Sequence, residues 1–418
     1  AFEPDDLEWD SDDESFDQND DDAYDEDNVE APWREADRDD RNASGTDARI
    51  EQSIDRVIDM VELEPELFIA RDELLILAAE DSVRAIAEQA QLTTISIEYL
   101  DGLDDTLGRF VVPKDKQLST LRADIAARFP DAAVDYNHGF ALAQTGASAA
   151  AAGALYRRDS LPVMSTLRVG IIDSSVSLQH PVLAAAKIQQ REFTPATKVT
   201  QSDHGTAVAS LLVGQHDDFV GMAVGAELFA ASVFAADPEA GVIASSDGLV
   251  NALAWLAEQR VHVVNMSLAG PPNTLVERTL KRLRQRGMLI VSAVGNDGPF
   301  AKPRFPSAYP SVIGVGAVDT AGRAYRRSGR GDHVEFTAPG VNIIAAAADG
   351  STKSFTGTSF AAPILSGLLL QRLSVADSPE SALNALREDT LDLGPPGIDP
   401  VFGRGLAGRS LLIKPLTP

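Results

Sequence analysis

Five near-continuous apolar runs of strand length constrain this chain more than any other feature: 167–173 (LRVGIID), 226–234 (AELFAASVF), 261–268 (VHVVNMSL), 288–295 (MLIVSAVG) and 311–318 (SVIGVGAV). A strand apolar at nearly every position must bury both faces, as a parallel sheet covered by helices does. Helical segments separate the runs, so residues 167–418 read as an α/β unit built on a parallel sheet flanked by helices. Among 418 residues, 44% apolar and 24% charged, there is material for more than one core.

The stretch before it has a different rhythm. Ile54, Val57, Ile58 and Val61 fall at helical spacing and Pro65 closes them, which predicts a short amphipathic helix. There follow an apolar run (74–78), a helix (81–90, with Asp81 as its cap), an alternating strand (94–100), an apolar strand (107–112), a helix with Leu118, Leu121, Ile125 and Phe129 on one face, and a last strand (132–136). The order βαββαβ over residues 49–143 is that of a small ferredoxin-like α+β domain. Residues 144–166 include the featureless run GASAAAAGAL and read as a linker. Residues 1–48 hold 21 Asp or Glu and few aliphatics, a composition that cannot repay its own ordering, so a disordered acidic tail is expected.

A net charge of −27 argues against nucleic acid and against an anionic membrane surface as partners. No stretch approaches the roughly 20 apolar residues that span a bilayer. Cysteine is absent, which excludes disulfides and thiolate sites. The chain begins at Ala1, as removal of a signal peptide leaves it, and the expectation is a secreted or periplasmic bacterial protein that works as a monomer.

Three motifs stand at element ends. Asp173 closes the first apolar strand, at the sheet edge where α/β sites collect. His204, in Asp203-His204-Gly205-Thr206, opens an apolar helical run. Ser359 lies in Thr356-Gly357-Thr358-Ser359-Phe360-Ala361-Ala362-Pro363 before another apolar helix, where free N–H groups stabilise negative charge. Taken singly, a strand-ending Asp is more often a turn former, the His a structural one, and the Ser a plain helix cap.

Taken together, in the order Asp, His, Ser, the motifs resemble the subtilisin family of serine proteases. The resemblance runs from Leu167 to about Leu412 and includes 264–268 (VNMSL), 292–298 (SAVGNDG) and 402–406 (FGRGL). It implies Asp173, His204 and Ser359 as a catalytic triad and Asn296 as the side-chain donor of an oxyanion hole. It further implies a substrate cleft of Ser267, Leu268, Ala269 and Gly270 facing Ala293, Val294 and Gly295, with Arg304 at the S1 pocket. The first α+β domain then resembles the family's propeptide, which assists folding and blocks the active site with its tail, an intramolecular inhibitor. The implied function is a serine endopeptidase acting on proteins or peptides through an acyl-enzyme, made as an autoprocessed zymogen and needing no cofactor.

Departures matter. Ala269 stands where the family commonly has Gly and narrows S1; Arg304 replaces a small residue and either enters the pocket or pairs with an acid such as Asp297. The loop 215–220 offers two acids where relatives bind calcium, which wants six to eight oxygens, so it leaves room for a structural calcium without predicting one. His138, His180, His216, His262 and His333 lack metal-ligand spacing. Self-cleavage is expected between Ala143 and Gln144, placing Phe140 at P4 and Ala143 at P1; the competing position is the alanine run 149–152. Other readings are a pseudo-protease or binding module that kept the fold, a chaperone or inhibitor of another protein built from the acidic tail and the α+β domain, and a sedolisin-type acid protease, in which an acid would stand at His204.

Overall fold

A computed structural model describes residues 58–143, 145–148, 154–157, 164–194, 203–217, 219–408 and 412–415, all within the unit Asp47–Pro418. The acidic tail 1–48, the start of the expected first helix and Gln144 lie outside the described residues.

The smaller part comprises β1 (Met60–Glu64), β2 (Leu67–Ala78), α1 (Glu80–Ala90), β3 (Thr93–Leu100), β4 (Asp105–Val111), α2 (Leu118–Arg128) and β5 (Ala133–Leu142). Where a helix was expected around Val61 there is the strand β1, paired antiparallel with β2. The apolar spacing that suggested a helix is short, and pairing with the long edge of β2 decides the backbone. Asp81 is not a cap: the N-cap of α1 is Ala79, with Asp81 in the first turn. The remaining elements follow the expected βαββαβ order, and the strands lie β5-β2-β4-β3.

The four apolar residues Leu74 to Leu77 of β2 reveal where this sheet sits. Leu74 and Ile76 join Val83, Ile86 and Ile125 of the helices in one core. Leu75 and Leu77, on the other face, join a second core with Leu253, Leu275 and Leu280 of the larger part. With period-two alternation this places one sheet face under its own helices and the other against the α/β part.

That part continues with β6 (Thr145–Ser148), β7 (Ala154–Arg157), β8 (Arg168–Asp173), β9 (Lys187–Glu192), α3 (Asp203–Val213), β10 (Gln215–His216), β11 (Phe219–Val220), β12 (Glu227–Ser232), β13 (Phe234–Asp237), β14 (Gly241–Ser245), α4 (Ser246–Glu258), β15 (Val263–Met266), β16 (Leu268–Ala269), α5 (Thr274–Gln285), β17 (Leu289–Ala293), β18 (Ile313–Val318), β19 (Val334–Pro339), β20 (Ile343–Ala346), β21 (Thr352–Thr356), α6 (Thr358–Leu373), α7 (Pro379–Glu388) and β22 (Leu412–Pro415). Seven strands form a parallel sheet in the order β19-β18-β17-β15-β8-β12-β9. Residues of α3 and α6 fill the core on one face, and those of α4 and α5 the core on the other.

Two sequence readings change here. The run 226–234 is not one strand: β12 stays in the parallel sheet, while β13 turns out of it to pair with β14. The segment 144–166, read as a linker, contains β6 and β7, which pair with β21 and β20. The sequence there carries no clear periodicity, so the partner edges decide the conformation of β6 and β7.

Candidate active site

Asp173 ends β8 and His204 begins the apolar stretch of α3. What brings them together is Gly205: a Cβ there would sit 2.2 Å from the Ser174 carbonyl oxygen, so only glycine lets α3 approach the turn after β8 this closely. The Gly205 N–H donates to Ser174 Oγ at 3.0 Å. His204 Nδ1 and Asp173 Oδ1 are 2.7 Å apart, with both side chains fully buried. An acceptor-only carboxylate at that distance holds the proton on Nδ1.

Ser359 occupies the first turn of α6, and the ring of the next residue, Phe360, lies 5.2 Å from that of His204. The Ser359 hydroxyl is buried and makes no hydrogen bond among the described residues. Pro363 sits within α6 four residues later. Having no N–H, it leaves the Ser359 carbonyl without its helical donor. Ser267 Oγ supplies the replacement at 2.9 Å. Asn265 Nδ2 donates to that hydroxyl at 2.9 Å, and Ser366 Oγ donates to Asn265 Oδ1 at 3.3 Å, all three residues being buried. Sequence reasoning placed Ser267 on the substrate strand but missed this chain; the signal was Pro363.

The Asn296 amide has a defined orientation. Its Oδ1 accepts from the Thr358 N–H at 3.0 Å, which turns Nδ2 towards the cleft. Nδ2 donates to the Ala143 carbonyl at 2.6 Å. A Cβ on Gly357 would lie 3.1 Å from Asn296 Nδ2 and 3.3 Å from both Ala143 O and Ser359 Oγ, so these three groups crowd around one glycine.

The chain that brings Ala143 there is β5. Beyond the small sheet it runs antiparallel between β14 and β16, with Ala141 opposite Ile243 on one side and Ala269 on the other. The Ala143 N–H donates to the Ser267 carbonyl at 3.2 Å. Phe140 is buried with its ring against Gly270. Past Gln144, β6 pairs with β21, Thr145 opposite Thr356. Ser267, Leu268, Ala269 and Gly270 thus flank the inserted strand, while β14, unremarked in the sequence reading, forms the other wall.

Ala293 ends β17, followed by buried Val294 and by Gly295. A Cβ on Gly295 would lie 3.5 Å from Arg304 Cγ and 4.0 Å from Ala269 Cβ, so Arg304 does adjoin this wall. Its guanidinium is engaged by carboxylates, Asp297 at 2.6 Å and Glu66 of the smaller part at 3.0 Å. Of the two orientations weighed for Arg304, this is the acid-paired one. Among the described residues no group of three His, Cys, Asp or Glu is placed to hold a metal ion.

Comparison with known proteins identifies the family. Residues 165–405 match the family model described as the subtilase family. The minor extracellular protease Epr of Bacillus subtilis is 28% identical over 245 residues, covering 57% of this chain and 37% of that protein. Subtilisin BL of Lederbergia lenta is 29% identical over 249 residues, 58% of this chain and 88% of that one. The chain thus spans little more than a third of Epr's length, though most of subtilisin BL's. A point mutant of the protease domain of PatA superposes with a TM-score of 0.55 at 26% identity, over 60% of this chain and 96% of that one. Fervidolysin from Fervidobacterium pennivorans, at 18% identity, shares the fold over 83% of this chain and 61% of its own, with a TM-score of 0.66. With more than half of its residues matched to the family model, the chain belongs to the subtilase family.

Proposed function

We propose that this protein is a serine endopeptidase made as a self-inhibited precursor, with Asp173, His204 and Ser359 as its triad. Ser359 Oγ attacks a peptide carbonyl, His204 Nε2 takes its proton and returns it to the leaving amine, and Asp173 fixes the tautomer and stabilises the imidazolium. Asn296 Nδ2, with the Ser359 N–H, receives the developing oxyanion. Water then hydrolyses the acyl-enzyme.

One observation carries this reading: the chain crosses the cleft as a substrate would. It enters between β14 and β16, presents the Ala143 carbonyl to Asn296, and continues alongside β21. The bond after Ala143 is the one proposed to be cut. Residues 49–143 then serve as an inhibitor whose tail, Phe140 to Ala143, fills the product side of the cleft. A small P1 residue agrees with a pocket narrowed by Ala269 and by the Arg304 stem. Protein or peptide substrates, export and a monomeric state complete the proposal; the relative Epr is named an extracellular protease, and no helix among the described residues is long and apolar enough to cross a membrane.

The test is incubation of purified wild type and Ser359→Ala with intact-mass measurement. Wild type should lose residues 1–143 at a concentration-independent rate, exposing Gln144, while Ser359→Ala stays whole. A first cut within the alanine run 149–152, or equal cleavage of both proteins, overturns the reading.

A further inference from the structure

Where the smaller part meets the α/β part there is a cavity of about 150 Å³, which reaches Ile243 and Ser245 of β14 but is lined by none of Asp173, His204, Asn296 and Ser359. Met60, Leu107 and Arg109 of the smaller part wall it on one side, and Asp247, Asn251 and Trp255 of α4 on the other. A cavity of that size holds about one aromatic ring.

Its polar lining is unbalanced. Five carboxylates face it against two guanidiniums, those of Arg109 and Arg191. Arg109 is already committed: its Nη1 is 3.0 Å from Asp247 Oδ2 and its Nη2 is 3.1 Å from Glu73 Oε2. Among the described residues, Asp247 Oδ1, Asn251 Oδ1 and Glu192 Oε2 are buried acceptors without a hydrogen-bond partner; the Thr194 hydroxyl, which can donate or accept, and the donor Arg109 Nε are the other unpaired polar atoms of this lining. Asp247 and Arg109 are each more than nine-tenths buried. Buried polar atoms are normally satisfied, so a lining rich in orphan acceptors calls for a ligand that brings donors. Trp255 and Phe193, their rings 5.7 Å apart, offer an apolar and π-rich surface beside them.

We propose that this cavity binds a small organic cation, a primary ammonium on an apolar body of about one aromatic ring. The ammonium donates to Asp247, Asn251 and Glu192, and the apolar body lies against Trp255. Because the walls come from both parts, an occupant is held only while they are joined, and by mass action it stabilises the joined form. No step depends on Ser359 chemistry, so this proposal and the protease reading stand or fall separately.

The experiment uses full-length Ser359→Ala, which cannot cut itself on the reading above, and three probes of one shape: 2-phenylethylammonium, 2-phenylethanol and 3-phenylpropanoate. Binding is followed by saturation-transfer NMR and by the melting temperature. The ammonium should bind at least about tenfold more tightly than the alcohol, the effect of one charge-assisted hydrogen bond, and the carboxylate not at all. Glu98→Gln, which removes a lining charge, and Asn251→Leu, which removes an acceptor and fills space, should each weaken ammonium binding several-fold. Equal binding of all three probes would mean a plain apolar hole, and no binding would mean a cavity for water only. Ammonium binding unchanged in both variants would mean adsorption to the acidic surface. Each of these overturns the proposal.

Discussion

Pro363 gives Ser267 a task beyond lining the substrate strand. With no N–H to offer, the proline frees the Ser359 carbonyl, and the Ser267 hydroxyl anchors the helical turn that carries the proposed nucleophile. In Ser267→Ala that carbonyl is buried and unpaired, a cost of about 1–3 kcal/mol. We expect kcat to fall with KM little changed, and Ser267→Thr to recover most of the loss; a change confined to KM would refute the positioning role. Asn296→Ala should lower kcat about 10²–10³-fold, a magnitude carried over from the corresponding asparagine of a subtilisin. Arg304 belongs to the same scale. Its stem borders Gly295 in the proposed S1 wall while its head is paired, so Arg304→Gly should widen the accepted P1 side chains, measurable with a P1 peptide library. An unchanged profile would place Arg304 outside the pocket. Asp173, His204, Ser359 and Asn296 were legible as motifs, whereas the Asn265–Ser267–Ser366 chain was not: Pro363 marks a carbonyl that needs a new donor, but nothing in the sequence says which side chain from another element supplies it.

At the scale of elements, β5 has three tasks along ten residues. Its first half closes the small sheet against β2. Its middle serves two helix N-termini: Asp135 Oδ2 accepts from the Thr274 N–H of α5 at 2.9 Å, and Asn137 Oδ1 from the Asp247 N–H of α4 at 3.2 Å. Its end fills the cleft. His138 lies in this middle stretch, buried, with Asn273 Nδ2 donating to its Nδ1 at 2.9 Å and the Tyr136 ring 5.5 Å away. Burial pushes the His138 pKa below the ordinary histidine value, with Arg122 adding to the effect and Asp135 opposing it. The unfolded chain therefore takes up the proton first as pH falls. Stability is complete above about pH 6.5 and declines below it, by at most about 1.4 kcal/mol per pH unit for one group. Denaturant titrations of Ser359→Ala between about pH 7.5 and 5 should show this decline, and His138→Gln should make it shallower, the remainder coming from His333, whose pKa burial also lowers. An identical slope in both proteins would exclude His138 as its source. The order of elements was visible from periodicity, but β1, β6 and β7 were not, since pairing with an available edge, not side-chain pattern, makes them strands.

Across the whole molecule, the join between the two parts contains buried charge as well as apolar contact. Arg109 of β4 reaches Asp247 of α4 and Glu73 of β2, with all three side chains at most 9% exposed. Arg109→Met leaves two buried carboxylates without their cation and should destabilise the Ser359→Ala protein by about 3–5 kcal/mol in chemical denaturation. Replacing all three by apolar residues should recover much of that loss, because the desolvation cost disappears with the charges. A loss under about 1 kcal/mol for Arg109→Met would mean that water reaches the pair. The periodicity of the chain alone was enough for the parallel sheet and for the small βαββαβ sheet, because burial of a strand face or helix stripe is written into the spacing of apolar residues. The motifs alone were enough for the family. Three things waited for the tertiary structure: that β5 extends into the cleft, that its carbonyl meets Asn296, and that charged groups from distant segments close over a cavity. Each depends on which edges and side chains become neighbours once two cores pack together, and separation along the chain carries no record of that.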